Sequence, residues 1–299
     1  MMAGHPAQPY AVTMTQRFDL HTHSTASDGT LSPAELVARA VEREIDQLAL
    51  TDHDTTAGLE AARMAAREQG LGLIPGIELS VSWAHQTLHI VGLHIDPGHP
   101  AMQAGIARQL DFRRWRAAEI GRRLAKAGID GAYDGACGYA DGDLVGRTHF
   151  ARYLVEQGHA RDLKQVFKRY LVRGKPGHVA GEWATLEQAV GWIRDSGGLA
   201  VIAHPARYKL SATRLRQLLG EFGELGGAAL EVVSGSHSRD DMLRFGQLSQ
   251  TWNLAASSGS DYHGPENPYR DIGRLPELPP GCRPIWESDA WARCSEGAS

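Results

Sequence analysis

From Phe18 onward the apolar residues fall into two alternating patterns, short strand-like runs and longer stretches with helical spacing. The first run, Arg17-Phe18-Asp19-Leu20, is followed by Ser32-Pro33-Ala34-Glu35, a capping box with proline at the first helical position. Leu36, Val37, Ala40 and Val41 then recur at helical spacing and predict a helix to about Glu44, packed on a sheet. Strands are predicted at 47–51, 71–78 and 87–95, with a helix over 57–69. Helices at 186–195, 212–222 and 239–251 alternate with strands at 199–203, 228–233 and 254–258. The Pro/Gly-rich stretch 264–284 predicts loop, and 286–293 a short helix capping one end. Six or seven strands alternating with helices predict an α/β fold, a barrel or doubly wound sheet with parallel strands. Both architectures place the site at the C-terminal ends of the strands.

Between 97 and 180 the alternation stops. Helices are predicted at 101–127, 147–156 and 162–171, a helical insertion that divides the α/β domain into 17–96 and 181–299. Residues 1–16 are Ala/Pro/Gln-rich and predict a flexible N-terminus, with His5 a terminal residue rather than a ligand. Charge changes this picture. The whole chain is at -4, yet residues 101–180 hold 15 Lys and Arg against 8 Asp and Glu, net +7, leaving -11 elsewhere. A basic segment inside an acidic chain suggests an anionic partner.

Composition, 42% hydrophobic and 22% charged, is that of a soluble globular protein. The N-terminal sixteen residues lack the form of a signal peptide, and no later segment is apolar enough to span a membrane, so a cytoplasmic location without membrane or obligate protein partner is the expectation. Cys137, Cys282 and Cys294 are widely spaced and indicate neither a disulfide framework nor a thiolate zinc site.

Titratable residues gather where the strands are predicted to end. His21 and His23 lie two apart in extended chain, so both can face one ion, and Asp28 follows after a short Ser/Thr loop. His53, Glu78, His89, His204, Asp261 and His263 complete six imidazoles and three carboxylates. So many buried polar groups are costly without a cation to satisfy them. The donor set suits manganese, zinc or iron. Divalent ions held by such a set can bind phosphoryl oxygens, lower the pKa of a bound water and stabilise a leaving alkoxide, which fits phosphate ester hydrolysis. Asp52 and Asp54 flank His53 and are candidates for fixing an imidazole tautomer, or simply cap or loop carboxylates.

The ordered motifs Asp-Leu-His-Thr-His-Ser (19–24), Leu-Thr-Asp-His-Asp (50–54), Gly-Ile-Glu (76–78), Ala-His-Pro (203–205) and Gly-Ser-Asp-Tyr-His (259–263) resemble the PHP (polymerase and histidinol phosphatase) family. The resemblance implies a distorted (β/α)7 TIM-like barrel with a trinuclear centre, Mn2+ being the expected metal and Zn2+ or Fe2+ the alternatives. It implies His21, His23, Glu78 and Asp261 around one ion. Glu78 bridges to a second held by His89 and His204, and Asp28, His53 and His263, the expected catalytic residues, hold the third. Arg147-Thr148-His149-Phe150-Ala151-Arg152, Lys175-Pro176-Gly177 and Ser234-Gly235-Ser236-His237 are similar to the bacterial branch that hydrolyses nucleoside 3′,5′-bisphosphates or degrades RNA from its 5′ end.

The expected activity is therefore a metal-dependent hydrolase removing the 3′-phosphate of a small nucleotide by attack of a metal-bound hydroxide, with His263 or a bound water protonating the leaving oxygen. Arg147, His149, Lys175 and Arg207 are the expected contacts to the second phosphate and the sugar. The alternatives are a 5′→3′ exoribonuclease on short or 5′-phosphorylated RNA, a histidinol phosphatase and a non-catalytic nucleotide sensor. The arginines of 108–123 and the seven tryptophans are read as a solvated helix face and packing residues.

Overall fold

A computed structural model describes residues 16–142, 144–267 and 270–296; the expected flexible N-terminus, apart from Gln16, and His5 lie outside the described residues. In chain order the elements are β1 (Phe18–Thr22), α1 (Pro33–Glu42), β2 (Gln47–Leu50), α2 (Leu59–Gln69), β3 (Gly72–Trp83) and β4 (Gln86–Leu93). Four helices follow, α3 (Pro100–Lys126), α4 (Ala132–Cys137), α5 (Arg147–Glu156) and α6 (Leu163–Val166), the last continuing as a π-helical turn to Leu171. The chain then runs through α7 (Leu186–Asp195), β5 (Leu199–Ile202), α8 (Ala212–Glu224), β6 (Ala229–Ser234), α9 (Arg239–Thr251), β7 (Ala255–Gly259) and α10 (Asp289–Glu296).

The seven strands form one sheet in sequence order. It curls until β1 meets β7, where the His23 N–H donates to the Tyr262 carbonyl and the Asp261 N–H to the His21 carbonyl, both at 2.9 Å. This is a seven-stranded, nearly closed barrel with helices around it. Close approach at the seam requires Gly259, because a Cβ there would lie 2.3 Å from the Cβ of His21.

One expectation is corrected. The strands are not all parallel, since β4 runs antiparallel to both β3 and β5. Strands β3 and β4 form a hairpin whose two-residue turn, Ala84-His85, has both φ values positive, 46° and 62°. Such a turn matches strand twist and reverses the chain. Strand β3 therefore continues past Glu78, the residue predicted to end it.

Ser32 caps α1 through the predicted box, accepting from the Glu35 N–H while Glu35 accepts from the Ser32 N–H. Leu36, Val37 and Ala40 are buried against Leu48 and Leu50 of β2 and Ala62 of α2. Leu20, Ala49, Val91, Val201 and Ala229 fill the barrel, and Ile285 and Trp291 join them from the C-terminal segment. The helices between β4 and α7 share a separate core around Leu124, Phe150, Leu154, Val166 and Leu171. They tie to the barrel through α3, where the buried Arg113 bonds Asp54 at 2.7 Å and Gln109 bonds Asp54 at 3.0 Å. Among the described residues no helix is long and apolar enough to cross a membrane, and the three cysteines are unpaired.

Candidate metal centre

Strand β1 delivers His21 and His23 with ring centroids 5.1 Å apart, as period-two alternation requires. Asp28 enters from the Ser24–Ser27 turn. Asp52 holds that turn, accepting from the Ser24 N–H, the Ser24 hydroxyl and the Ser27 hydroxyl at 2.8, 2.6 and 2.6 Å. His53 follows β2, His204 follows β5, and Asp261 and His263 follow β7. His89 departs from the strand-end rule. It lies within β4, opposite Ser80, and reaches the centre only because that strand is reversed.

Glu78 sits in the middle, fully buried. Its Oε1 lies 2.9 Å from His89 Nδ1, 3.0 Å from His204 Nε2 and 3.3 Å from His21 Nε2. Its Oε2 lies 2.7 Å from His53 Nδ1 and 3.4 Å from His23 Nε2. Asp261 Oδ1 is 3.4 Å from His23 Nε2 and 3.7 Å from His21 Nε2. On the far side, Asp28 Oδ1 is 3.2 Å from His263 Nε2 and 3.8 Å from His53 Nε2.

Donor atoms converge within 4.8 Å in four overlapping groups: His23, Asp28, His53 and His263; His21, Glu78 and His204; His21, His23 and Asp261; His53, Glu78 and His89. All nine expected residues are thus brought together. The partition differs from the expected one: Glu78 is not in the group of His21, His23 and Asp261. His23 also joins the group of Asp28, and the two histidines expected to share an ion with Glu78 fall in separate groups, His204 with His21 and His89 with His53.

The donor chemistry fits divalent cations. His21 Nε2, His23 Nε2, Asp28 Oδ1, His53 Nδ1 and Glu78 Oε2 are buried without a hydrogen-bond partner among the described residues, each at a cost of about 1–3 kcal/mol. His53 Nδ1 and Glu78 Oε2 approach to 2.7 Å yet lack hydrogen-bond geometry, as two ligands of a shared cation would. Burial holds His23 down to about 3 and His89 to about 4, and it also lowers His204, leaving lone pairs free to coordinate. Burial alone would raise Glu78, but the imidazoles of His89, His53 and His21 outweigh it and hold the carboxyl well below the usual range. Asp28 is kept ionised in the same way by His263 and His53, and Asp261 by His263, His23 and Arg207.

The imidazole of His21 is oriented by Glu231, a fully buried carboxylate of β6 that the motifs did not single out. His21 Nδ1 donates to Glu231 Oε1 at 2.9 Å, which turns Nε2 to the centre. Glu231 Oε2 also accepts from the His204 N–H, fixing a residue held at φ 28°. Among the described residues neither Asp52 nor Asp54 bonds an imidazole. Asp52 braces the turn that carries Asp28, and Asp54 pairs with Arg113.

Over the centre lies a cavity of about 130 Å³. Asp28, His53, His89 and His263 face it from below; Arg113, Arg116, Arg147, Thr148 and Arg207 line it from the insertion and the turn after β5. Thr148 donates to Asp28 Oδ2 at 2.8 Å, and Arg207 to Asp261 Oδ2 at 2.9 Å. Arg270, unflagged in the sequence, donates to the same oxygen at 3.1 Å. Two expected substrate contacts are not brought there. His149 is buried in the first turn of α5, where its Nδ1 accepts from the Gly146 N–H at 3.0 Å, and Lys175 is exposed and lines neither this cavity nor the groove beside it. His237 is likewise structural, donating from Nδ1 to the Val232 carbonyl at 2.9 Å.

A family model, the PHP domain, matches residues 19–180. The chain is 50% identical over 269 residues to the 3′,5′-nucleoside bisphosphate phosphatase of Chromobacterium violaceum, covering 90% of this chain and 94% of that protein. It is 47% identical over 273 residues to the 5′-3′ exoribonuclease Rnm of Salmonella typhimurium, with 91% and 93% covered. Among solved structures, one described as an amidohydrolase from Chromobacterium violaceum with bound sulfate and no metal superposes with a TM-score of 0.89 at 48% identity, covering 93% of this chain and 96% of that one. Another, described as a metal-dependent phosphoesterase from Bifidobacterium adolescentis, superposes at 0.76 and 25% identity, covering 93% and 94%. The chain belongs to the PHP domain family, among its metal-dependent phosphoesterases.

Proposed function

We propose that the chain hydrolyses the 3′-phosphate of nucleoside 3′,5′-bisphosphates, converting adenosine 3′,5′-bisphosphate to AMP and phosphate, with three divalent ions and Mn2+ the first choice among them. The observation that carries this reading is the meeting of a nine-residue ligand set with a cavity roofed by arginines. When bound, the ions would lower the pKa of water and neutralise charge on the phosphoryl oxygens.

The chain's own groups do the rest. Burial, together with repulsion from Arg147 and Arg113, pulls Arg116 well below the usual guanidinium value, and Arg147 is lowered in the same manner by burial, Arg113 and Arg207. Cations crowded this way gain from an anion placed between them. Arg147 and Arg207 are assigned to the phosphate that is not cleaved, where guanidinium groups can make bidentate contacts. His263 donates from Nδ1 to the Asp261 carbonyl at 2.8 Å, and its Nε2 faces Asp28 Oδ1 at 3.2 Å. With Asp28, His53 and His23 around it, that nitrogen is assigned to an ion and not to proton transfer. The similarity to the bisphosphate phosphatase of Chromobacterium violaceum supports the substrate class.

The test is selectivity in Arg147→Ala. Charge-assisted hydrogen bonds contribute about 1.5–3 kcal/mol, so kcat/KM on the 3′,5′-bisphosphate should fall roughly 10- to 100-fold while a nucleoside 3′-monophosphate is nearly unaffected. An unchanged ratio between the two substrates would remove Arg147 from the role.

A further inference from the structure

Beside the cavity runs a groove of about 1500 Å³, larger than the about 300–1,000 Å³ of an ordinary small-ligand pocket. The two share Thr87, Arg116, Arg147 and Arg207 in their walls, so the groove opens directly from the space above the metal centre. Its sides are the β3–β4 hairpin, α3, the segment 172–182 and the turn at 207–209. Among the described residues, Arg108, Arg116, Arg147, Arg173, Arg207 and Lys209 line it against a single carboxylate, Glu182. On one wall Trp115 is 55% exposed, although it is large and apolar. It leans on Phe112 with centroids 5.4 Å apart, and Phe112 is wedged edge-on against Trp183 at 4.6 Å. A braced, solvent-facing indole among cations is the makeup of a base-stacking platform on a polyanion path.

Resting on the function proposed above, we propose that this groove is a binding site for single-stranded RNA lying 3′ of the scissile phosphate, with Trp115 stacking on a base. The chemistry makes the two substrates one. Water attacks phosphorus, the P–O3′ bond breaks, and the departing O3′ takes a proton. From the bisphosphate this yields AMP and inorganic phosphate. From 5′-phosphorylated RNA the same bond cleavage yields a nucleoside 5′-monophosphate and a chain one residue shorter, which keeps the phosphorus as its new 5′-phosphate. The substrates differ only in what hangs beyond that phosphorus, and the groove is where it would lie.

Trp115→Ala separates the site from the centre. With the metal-loaded enzyme, kcat/KM on a 5′-phosphorylated pentaribonucleotide should fall roughly 5- to 100-fold, the range expected for one lost stack, while adenosine 3′,5′-bisphosphate turnover stays within about twofold. Trp115→Phe should retain most of the RNA activity, and Arg173→Ala should weaken its salt dependence. Pentamer turnover unchanged in Trp115→Ala, or both substrates falling alike, overturns the proposal. If the wild type hydrolyses neither substrate, the functional reading fails, and the groove is judged by fluorescence anisotropy of the 3′-labelled pentamer. Weaker binding by Trp115→Ala then upholds it, and equal binding overturns it.

Discussion

Glu231 and Glu78 grip the two nitrogens of one imidazole: Glu231 accepts from Nδ1 of His21 and Glu78 faces Nε2 at 3.3 Å. Replacing Glu231 with glutamine keeps the shape but removes the charge that fixes the tautomer. Partners of this kind typically affect metal affinity 10- to 100-fold, so Glu231→Gln should release its ions to a competing chelator at a roughly 10-fold lower chelator concentration. Equal retention would show that His21 needs no such support. At this scale seven of the nine candidate ligands were legible because they sit in short motifs beside apolar runs; Asp28 and His89 lie outside those motifs. Glu231 was not, since it lies inside the run Ala228–Val233 with no motif around it; a lone carboxylate in a wholly buried strand was the available signal. His149 misled in the opposite sense. Its position at the start of α5 suggested a substrate contact, but one ring nitrogen is already used to satisfy a helix-end N–H.

That cap makes α5 sensitive to acid. His149 Nδ1 can accept from Gly146 only when unprotonated, and burial lowers the group to about 4 from an ordinary 6.5. Between those values the unfolded chain binds a proton that the folded chain refuses. Stability is therefore unaffected by this group above about pH 6.5 and is lost as pH falls toward 4, by up to about 3 kcal/mol. Glutamine at this position accepts the same bond without titrating. Denaturant unfolding of His149→Gln against wild type from pH 7.5 to 4.5 should show the wild type losing more stability on acidification; parallel profiles would contradict the assignment. The helix boundaries were legible to within a few residues because the capping residues and the helical period agree. The β3–β4 hairpin was not. Its turn uses Ala84-His85 where Asn-Gly would have announced it, so the reversal of β4, and with it the route by which His89 enters the site, was hidden.

Across the whole molecule, the insertion and the barrel meet at Asp54 and Arg113. Arg113 belongs to the arginine group expected on a solvated helix face, yet Ile106, Gln109, Arg113, Ala117 and Ile120 share one helical stripe and all are buried. Arg113 holds Asp54 below the usual carboxylate range against the effect of burial. Removing one member of a buried pair costs about 3–5 kcal/mol, so Asp54→Ala should lower the unfolding free energy by that order. A loss below about 1 kcal/mol would mean the insertion is held by other contacts. The basic character of this segment was legible from charge alone, but the sequence could not say that its cations face the metal centre, because that depends on how α3 and α5 fold back over the strand ends.

The most direct test of the central claim is phosphate release from adenosine 3′,5′-bisphosphate by three samples of this protein: wild type loaded with Mn2+, wild type stripped with chelator, and Asp261→Ala loaded with Mn2+. The centre described here predicts AMP and phosphate in equal amounts from the first, loss of activity in the second that returns on adding Mn2+, and no turnover by a folded third. Undiminished phosphate release from the stripped enzyme or from Asp261→Ala would contradict it.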